Sequence, residues 1–188
     1  MRGPITRRAI LGAGLGLAAT AGLSPTRLSA AAQSSRFEGI ARGHLWLRHA
    51  SLGEETHVAF RRRDGQLDEA GHSRLCWAFR DWRDGDAAIW MDPRLFDLLS
   101  AMQTHATIRA DFPVRITLTS GYRTARRNRG IEGAAFHSQH IRGRAADISL
   151  TGLSHAATAR LAEIMRAHGI GRYAGFTHVD VGPPGRRW

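Results

Sequence analysis

An aspartate stands in the middle of a run that otherwise reads as a buried strand, Arg144-Ala-Ala-Asp147-Ile-Ser-Leu150. An unpaired carboxylate there is costly, because the charge loses its water without replacement. Any fold this chain adopts must therefore bring a cation to Asp147, either a metal ion or an arginine. Seven residues earlier lies His140, in a loop-like stretch, and Gly143 between them lets the backbone turn into the strand. Near the other end of the chain, Phe176-Thr-His178-Val-Asp180-Val181 forms a second strand-like run. Alternate side chains of a strand share a face, so His178 and Asp180 point one way and Thr177, Val179 and Val181 the other. Two imidazoles and a carboxylate suit zinc, whose catalytic sites take three protein ligands and leave a fourth position to water. His140, Asp147 and His178 supply three, although such a set also suits other divalent ions.

The elements around these runs are short and mixed. Residues 44–49 and 56–62 alternate and flank the turn-like Ser51-Leu52-Gly53-Glu54, predicting a hairpin. Residues 67–82 are roughly helical, with Gly71 a weak point. Asp92 is a natural N-cap and Pro93 suits the first turn of a helix running towards Ala110, with Leu95, Leu98, Leu99, Met102 and His105 on its buried side. Residues 113–120 read as a strand, and 121–135 as a loop with a turn of helix. Ser154 caps a further helix that stops at His168-Gly169. Residues 172–174 and 176–181 form a closing hairpin, and 182–185 end the fold. This order predicts a single α+β domain, a small antiparallel sheet with helices. Trp46, Trp77, Trp82 and Trp90 read as core. Cys76 reads as a small buried hydrophobe, and a lone cysteine excludes a disulfide framework or a Cys-rich zinc module. His44, His49, His57, His72, His105, His155 and His168 lack ligand-like spacing and read as surface or partly buried.

The first thirty residues read as an address. Thr6-Arg7-Arg8 precedes the small, apolar stretch from Ala9 to Leu23, and Leu28-Ser29-Ala30 and Ala30-Ala31-Ala32 both fit a cleavage site. The paired arginines resemble a twin-arginine export signal, and the apolar stretch is short for a membrane span. The expectation is a signal over 1–32, a mature domain over 33–188 without a membrane span, and a periplasmic location; an uncleaved anchor is the alternative. All 27 basic residues are arginine, and the chain after residue 32 keeps a net charge of +7. A basic exported protein implies an anionic partner in the envelope, and no nucleic-acid-binding pattern stands out.

The run Ser138-x-His140-x-x-Gly143-x-Ala145-x-Asp147, followed by His178-Val179-Asp180, resembles the D-Ala-D-Ala metallopeptidases, whose fold is shared with hedgehog proteins. Ser120-Gly121-Tyr122-Arg123 matches their S-G-Y-R segment. Phe79-Arg80-Asp81-Trp82-Arg83, the Asp92-Pro93 helix start and the terminal Arg187-Trp188 extend the likeness, over residues 40–188, to the murein endopeptidase K branch. The resemblance implies one zinc ion on His140, Asp147 and His178, and hydrolysis of the cross-links between peptidoglycan stem peptides. It also implies that Arg123 holds a substrate carboxylate or the oxyanion formed on attack. A monomer is expected.

Other branches carry a general base in Glu-x-x-His or His-x-His at the last ligand, but here residues 175 and 176 are Gly and Phe. Asp180 is the first candidate for the base. Equally, it is the acceptor for the ring N–H of a ligand histidine. His137 is either a base or a solvated loop histidine. Ser120 and Tyr122 shape the turn, with Tyr122 a possible cleft wall, and Arg126, Arg127 and Arg129 read as a solvated basic loop. Trp188 packs on the core or edges the cleft. Two rivals remain open: a D-alanyl-D-alanine-type carboxypeptidase of the same fold, and a non-catalytic zinc-containing wall-binding module.

Overall fold

The computed structural model describes residues 43–188. The export signal read over 1–32 and the start of the domain at 33 lie outside the described residues. Seven strands and four helices build one layer of sheet covered by helices: β1 (His44–His49), β2 (Glu55–Ala59), α1 (Glu69–Ala78), α2 (Pro93–Ala110), β3 (Ile116–Ser120), α3 (Ala125–Arg129), β4 (Ala145–Leu150), α4 (His155–Ile164), β5 (Gly169–Arg172), β6 (Thr177–Asp180) and β7 (Arg186–Arg187). No helix among them is long and apolar enough to cross a membrane.

The sheet order is β2-β1-β3-β4-β6-β5-β7. This corrects the expected small antiparallel sheet: it is mixed. β1 pairs with β2 in an antiparallel hairpin but with β3 in parallel. A parallel pair needs a long crossover, and α1 and α2 provide it by carrying the chain from the β2 edge to the far side of β1. β3/β4, β4/β6 and β6/β5 are antiparallel, and β7 is added in parallel to β5. β7 is only two residues long and carries no alternation to read, and it lies beyond residues 182–185, where the fold was expected to end.

Helix starts follow the sequence closely. The Asp68 side chain accepts from Gly71 N–H, Asp92 from Arg94 N–H, and Ser154 from Ala157 N–H. α4 ends at Ile164, earlier than the glycine expected to stop it. Arg166 takes the left-handed turn instead, and Gly169 is already part of β5. One core lies between sheet and helices. Leu45 and Leu47 from β1, Leu75 from α1, Leu95 and Met102 from α2, Ile116 and Leu118 from β3 and Ile148 from β4 are all closed to solvent. The tryptophans do not fill it, which corrects their reading as core. Trp77 and Trp90 are 54% and 56% exposed, and Trp46 and Trp82 are half-buried. Trp77 lies on the outer side of α1 under the Arg80 guanidinium, and Trp90 caps His72 from outside. Phe60, Phe79 and Phe96 take the interior in their place. His72 and His49, expected at the surface or partly buried, are fully buried. His72 packs between Trp90 and Phe96 beside Cys76.

Gly71, the apparent weak point of α1, is what lets that helix sit on β2. A methyl group at this position would overlap the Ala59 carbonyl oxygen, which is backbone and cannot swing aside. Gly71→Ala is therefore expected to lower stability by about 1–3 kcal/mol, although alanine is the better helix former. Urea unfolding checks this. A variant as stable as the parent would show that the helix can lift off β2 without cost.

Candidate metal centre

Sheet register builds the centre. Asp147 on β4 lies directly opposite His178 on β6, and Ser120 at the end of β3 lies opposite Asp147 on its other side. Residues opposite one another in an antiparallel pair project to the same face, so pairing alone brings Asp147 and His178 together. His140 arrives from the loop before β4, and three backbone contacts hold it. Its Nδ1 lies 2.7 Å from the Gly121 carbonyl oxygen, and its own carbonyl accepts from Arg123 N–H at 3.3 Å and Gly143 N–H at 3.2 Å.

Three side-chain atoms then converge. His140 Nε2 is 3.2 Å from Asp147 Oδ1 and 3.1 Å from His178 Nδ1, and His178 Nδ1 is 2.9 Å from Asp147 Oδ1. All three residues are buried, Asp147 to 5% exposure. Hydrogen accounting shows what they need. Gly121 offers only an acceptor, so the hydrogen of neutral His140 sits on Nδ1. His178 Nε2 is 3.2 Å from Asp180 Oδ2, so its hydrogen sits there. Both inner nitrogens are then bare lone pairs facing a carboxylate oxygen, with no hydrogen between them. Such a cluster calls for a cation. Ligands about 2.0–2.1 Å from a tetrahedral zinc are separated by about 3.3–3.4 Å, so the observed triangle is close in size to one face of such a site.

Without an ion, a proton on His178 fills the same need. Burial works against the Asp147 carboxylate, yet the charge and hydrogen bonds of His140 and His178 outweigh it and hold the carboxyl well below the usual range. Burial also pushes the His178 imidazole down, but its bonds to Asp147 and Asp180 prevail and raise it. A protonated His178 cannot ligate, so binding of an ion must compete with that proton. The sequence left metal and arginine as alternative partners of Asp147, and the structure supplies both options. Arg123 Nη2 lies 3.6 Å from Oδ2, the oxygen turned away from the histidines.

Arg123 is itself largely buried, and burial lowers the pKa of its guanidinium. Nη1 donates to Asn128 Oδ1 at 3.2 Å and Nη2 to Ser120 Oγ at 3.4 Å. Buried Asn128, which the sequence analysis missed, ties this arginine to the loop through its bond to the Ala135 carbonyl. The basic loop, expected from sequence to be solvated, is only partly so. Arg127 pairs with fully buried Asp81 at 2.9 Å, and Asp81 also accepts from Thr124 N–H. Arg126 pairs with Asp84, and Arg129 is exposed.

Asp180 occupies the other side of His178. Burial raises its carboxyl, but the bonds from His178, Gly182 N–H and Arg186 more than offset that and lower it. Arg186 Nη2 lies 2.8 Å from both oxygens. Gly169, opposite Asp180 on β5, makes room, since a methyl there would overlap the carboxylate.

The triad opens into a cleft of about 460 Å³ lined also by Arg123, residues 131–135, Ser138, Tyr173, Phe176 and Trp188. Asp180 and His137 are not among its lining residues. His137 is exposed with its ring against Phe136, and Tyr122 packs on the core. Tyr173 and Phe176 went unnoticed in the sequence. A larger groove of about 540 Å³ lies between α2 and α4, but its walls carry no such converging donors.

The family described as peptidoglycan L,D-endopeptidase MepK matches residues 40–188. The probable peptidoglycan L,D-endopeptidase MepK of Haemophilus influenzae is 33% identical over 150 residues, covering 77% of this chain and 77% of that protein. The peptidoglycan L,D-endopeptidase MepK of Escherichia coli K12 is 33% identical over 150 residues, covering 77% of this chain and 79% of that protein.

Proposed function

From its membership of the MepK family of peptidoglycan L,D-endopeptidases, we propose that this chain is a zinc-dependent enzyme that hydrolyses peptide cross-links between peptidoglycan stem peptides outside the cytoplasm. The activity for which its relatives are named favours a bond between an L- and a D-configured centre, and favours an endopeptidase over a carboxypeptidase or an inert wall-binding module. The observation that carries the zinc reading is the convergence of three buried ligand atoms, 2.9–3.2 Å from one another. His140, Asp147 and His178 would hold one ion. When bound, zinc supplies polarisation of the scissile carbonyl and an acidified water.

The chain's own groups do the rest. Gly121 and Asp180 fix the ring orientation and tautomer of the two histidines. Arg123 presents a partly desolvated cation at the cleft floor, where it holds a substrate carboxylate or faces the oxygen that gains charge during attack. Asp180 is a positioning group in this reading, because all its contacts are spent behind His178. Proton transfer falls to groups that line the cleft.

The paired arginines at 7 and 8 and the apolar stretch after them support export of this basic chain by a twin-arginine route into the periplasm. Digestion tests the enzymatic reading. Residues 33–188 are incubated with defined cross-linked muropeptides, with and without a chelator, and the products are weighed by mass spectrometry. Monomers formed only without chelator are the expected result. Loss of a single terminal alanine would install the carboxypeptidase instead, and zinc binding without any cleavage would install the wall-binding module.

A further inference from the structure

One wall of the cleft is a stack of rings from the end of the chain. Tyr173 follows β5 and stacks on Phe176, with centroids 4.5 Å apart. Trp188 is fastened to β5 by two backbone bonds, its N–H to the Ile170 carbonyl and its carbonyl to Arg172 N–H. Its indole lies where a side chain at residue 171 would otherwise project, since a methyl on Gly171 would overlap it. The indole stands 5.1 Å from the His178 ring, and its Nε1 is 2.6 Å from the Tyr173 hydroxyl oxygen.

That last bond has a fixed direction. An indole N–H can only donate, so the Tyr173 oxygen is the acceptor. The phenol keeps its own hydrogen for another partner, and among the described residues no acceptor takes it. Tyr173 lines the same cleft as His140, Asp147, His178 and Arg123, and stays solvent-exposed. A fixed ring with an uncommitted O–H is a poor structural investment but a good donor to a substrate oxygen. Donating to Tyr173, Trp188 also makes that O–H a stronger hydrogen-bond donor, because chained hydrogen bonds polarise one another.

We propose that Tyr173 is a catalytic residue of the endopeptidase reaction, donating a hydrogen bond from its hydroxyl to the scissile carbonyl oxygen, and that Trp188 is the positioning residue that aims it. The inference rests on the endopeptidase reading above. The bond strengthens as the carbonyl π pair moves onto oxygen during attack by water, and it weakens again when that pair re-forms the C=O bond and the C–N bonding pair leaves with the amine, which takes up the proton released by the water. No proton leaves the phenol. Because the interaction grows in the transition state, it acts on kcat more than on KM.

The test compares Tyr173→Phe, Trp188→Phe and the double variant with the parent on a cross-linked muropeptide dimer. Zinc content and melting temperature are measured on each. Tyr173→Phe is expected to lower kcat by about 10- to 30-fold, below the range for a lone oxyanion donor because other groups share the charge. KM, zinc content and melting temperature should stay near the parent values. Trp188→Phe keeps an aromatic ring but removes the N–H, and should lower kcat less. In the Tyr173→Phe background it should have no further effect on kcat, an outcome that simple loss of packing would not give. A Tyr173→Phe enzyme with kcat within twofold of the parent overturns the proposal, as does a rise in KM alone, which would make Tyr173 a substrate wall. Additive losses in the double variant would overturn the role of Trp188. A parent that cuts no dimer removes the endopeptidase reading, and this inference with it.

Discussion

Asp147→Asn is expected to leave a folded protein that holds no zinc after dialysis and has lost at least about 10³ of its kcat/KM, roughly 4 kcal/mol of transition-state stabilisation. The substitution keeps the shape of the side chain and changes only its charge. Both histidines are neutral donors whose outer hydrogens are committed to Gly121 and Asp180, so Asp147 carries the one negative charge of the triad. Arg123 stands 3.6 Å from its other oxygen. With asparagine there, a divalent ion would meet two neutral rings and an uncompensated guanidinium, and the site would repel what it now attracts. Metal content by mass spectrometry and hydrolysis of a muropeptide dimer check the two halves separately. A variant that retains one ion per chain and a tenth of the activity would show that Asp147 serves Arg123 rather than the ion.

Asp147 also explains why the triad was legible in the sequence. A carboxylate within an apolar strand is an anomaly that demands a partner, and His178 sits on a run whose alternation fixes its face. Register did the rest, and it required only that β4 and β6 be neighbours. The helices were legible because their starts are local events: Asp92 with Pro93, and Ser154, cap within a few residues of themselves. The direction of β3 relative to β1 was not legible. It depends on how two helices route the chain across the sheet, and no local pattern records that. The tryptophans read as core from sequence, whereas Trp77 and Trp90 lie just outside the buried stripe set by Leu75, Cys76 and Met91. Tyr173 carries no spacing signal, because its place in the cleft depends on Trp188, fifteen residues away. The alternating glycines 169 and 171 were the available clue. In a four-residue strand they mark two positions where something bulky must approach, and the structure puts Asp180 and Trp188 there.

The sequence also could not say which ring nitrogen of His178 faces Asp180, and that decides whether this carboxylate is a base or a prop. Asp180→Asn separates the two. If Asp180 holds the tautomer and orientation of His178, the variant should bind zinc about 100-fold more weakly, at the strong end of what a hydrogen-bond partner of a ligand contributes. Its kcat should then climb back to within about threefold of the parent as zinc is raised to saturation. If Asp180 were the base, affinity for zinc would be unchanged and kcat would fall by about 10²–10⁴ at every zinc concentration. The geometry favours the first outcome. Both carboxylate oxygens are engaged by Arg186, Oδ1 also accepts from Gly182 N–H, and Oδ2 accepts from His178. A base needs a free lone pair facing the water it deprotonates, and Asp180 is fully buried behind the ring. Removing its charge also strands Arg186, but that side chain is 38% exposed and water takes over much of the pairing, so the stability loss should be only about 1 kcal/mol. A zinc titration of activity, beside a competition assay for affinity, gives the answer. Recovery at high zinc makes Asp180 part of the metal site's scaffold and leaves the base among the residues that face the cleft.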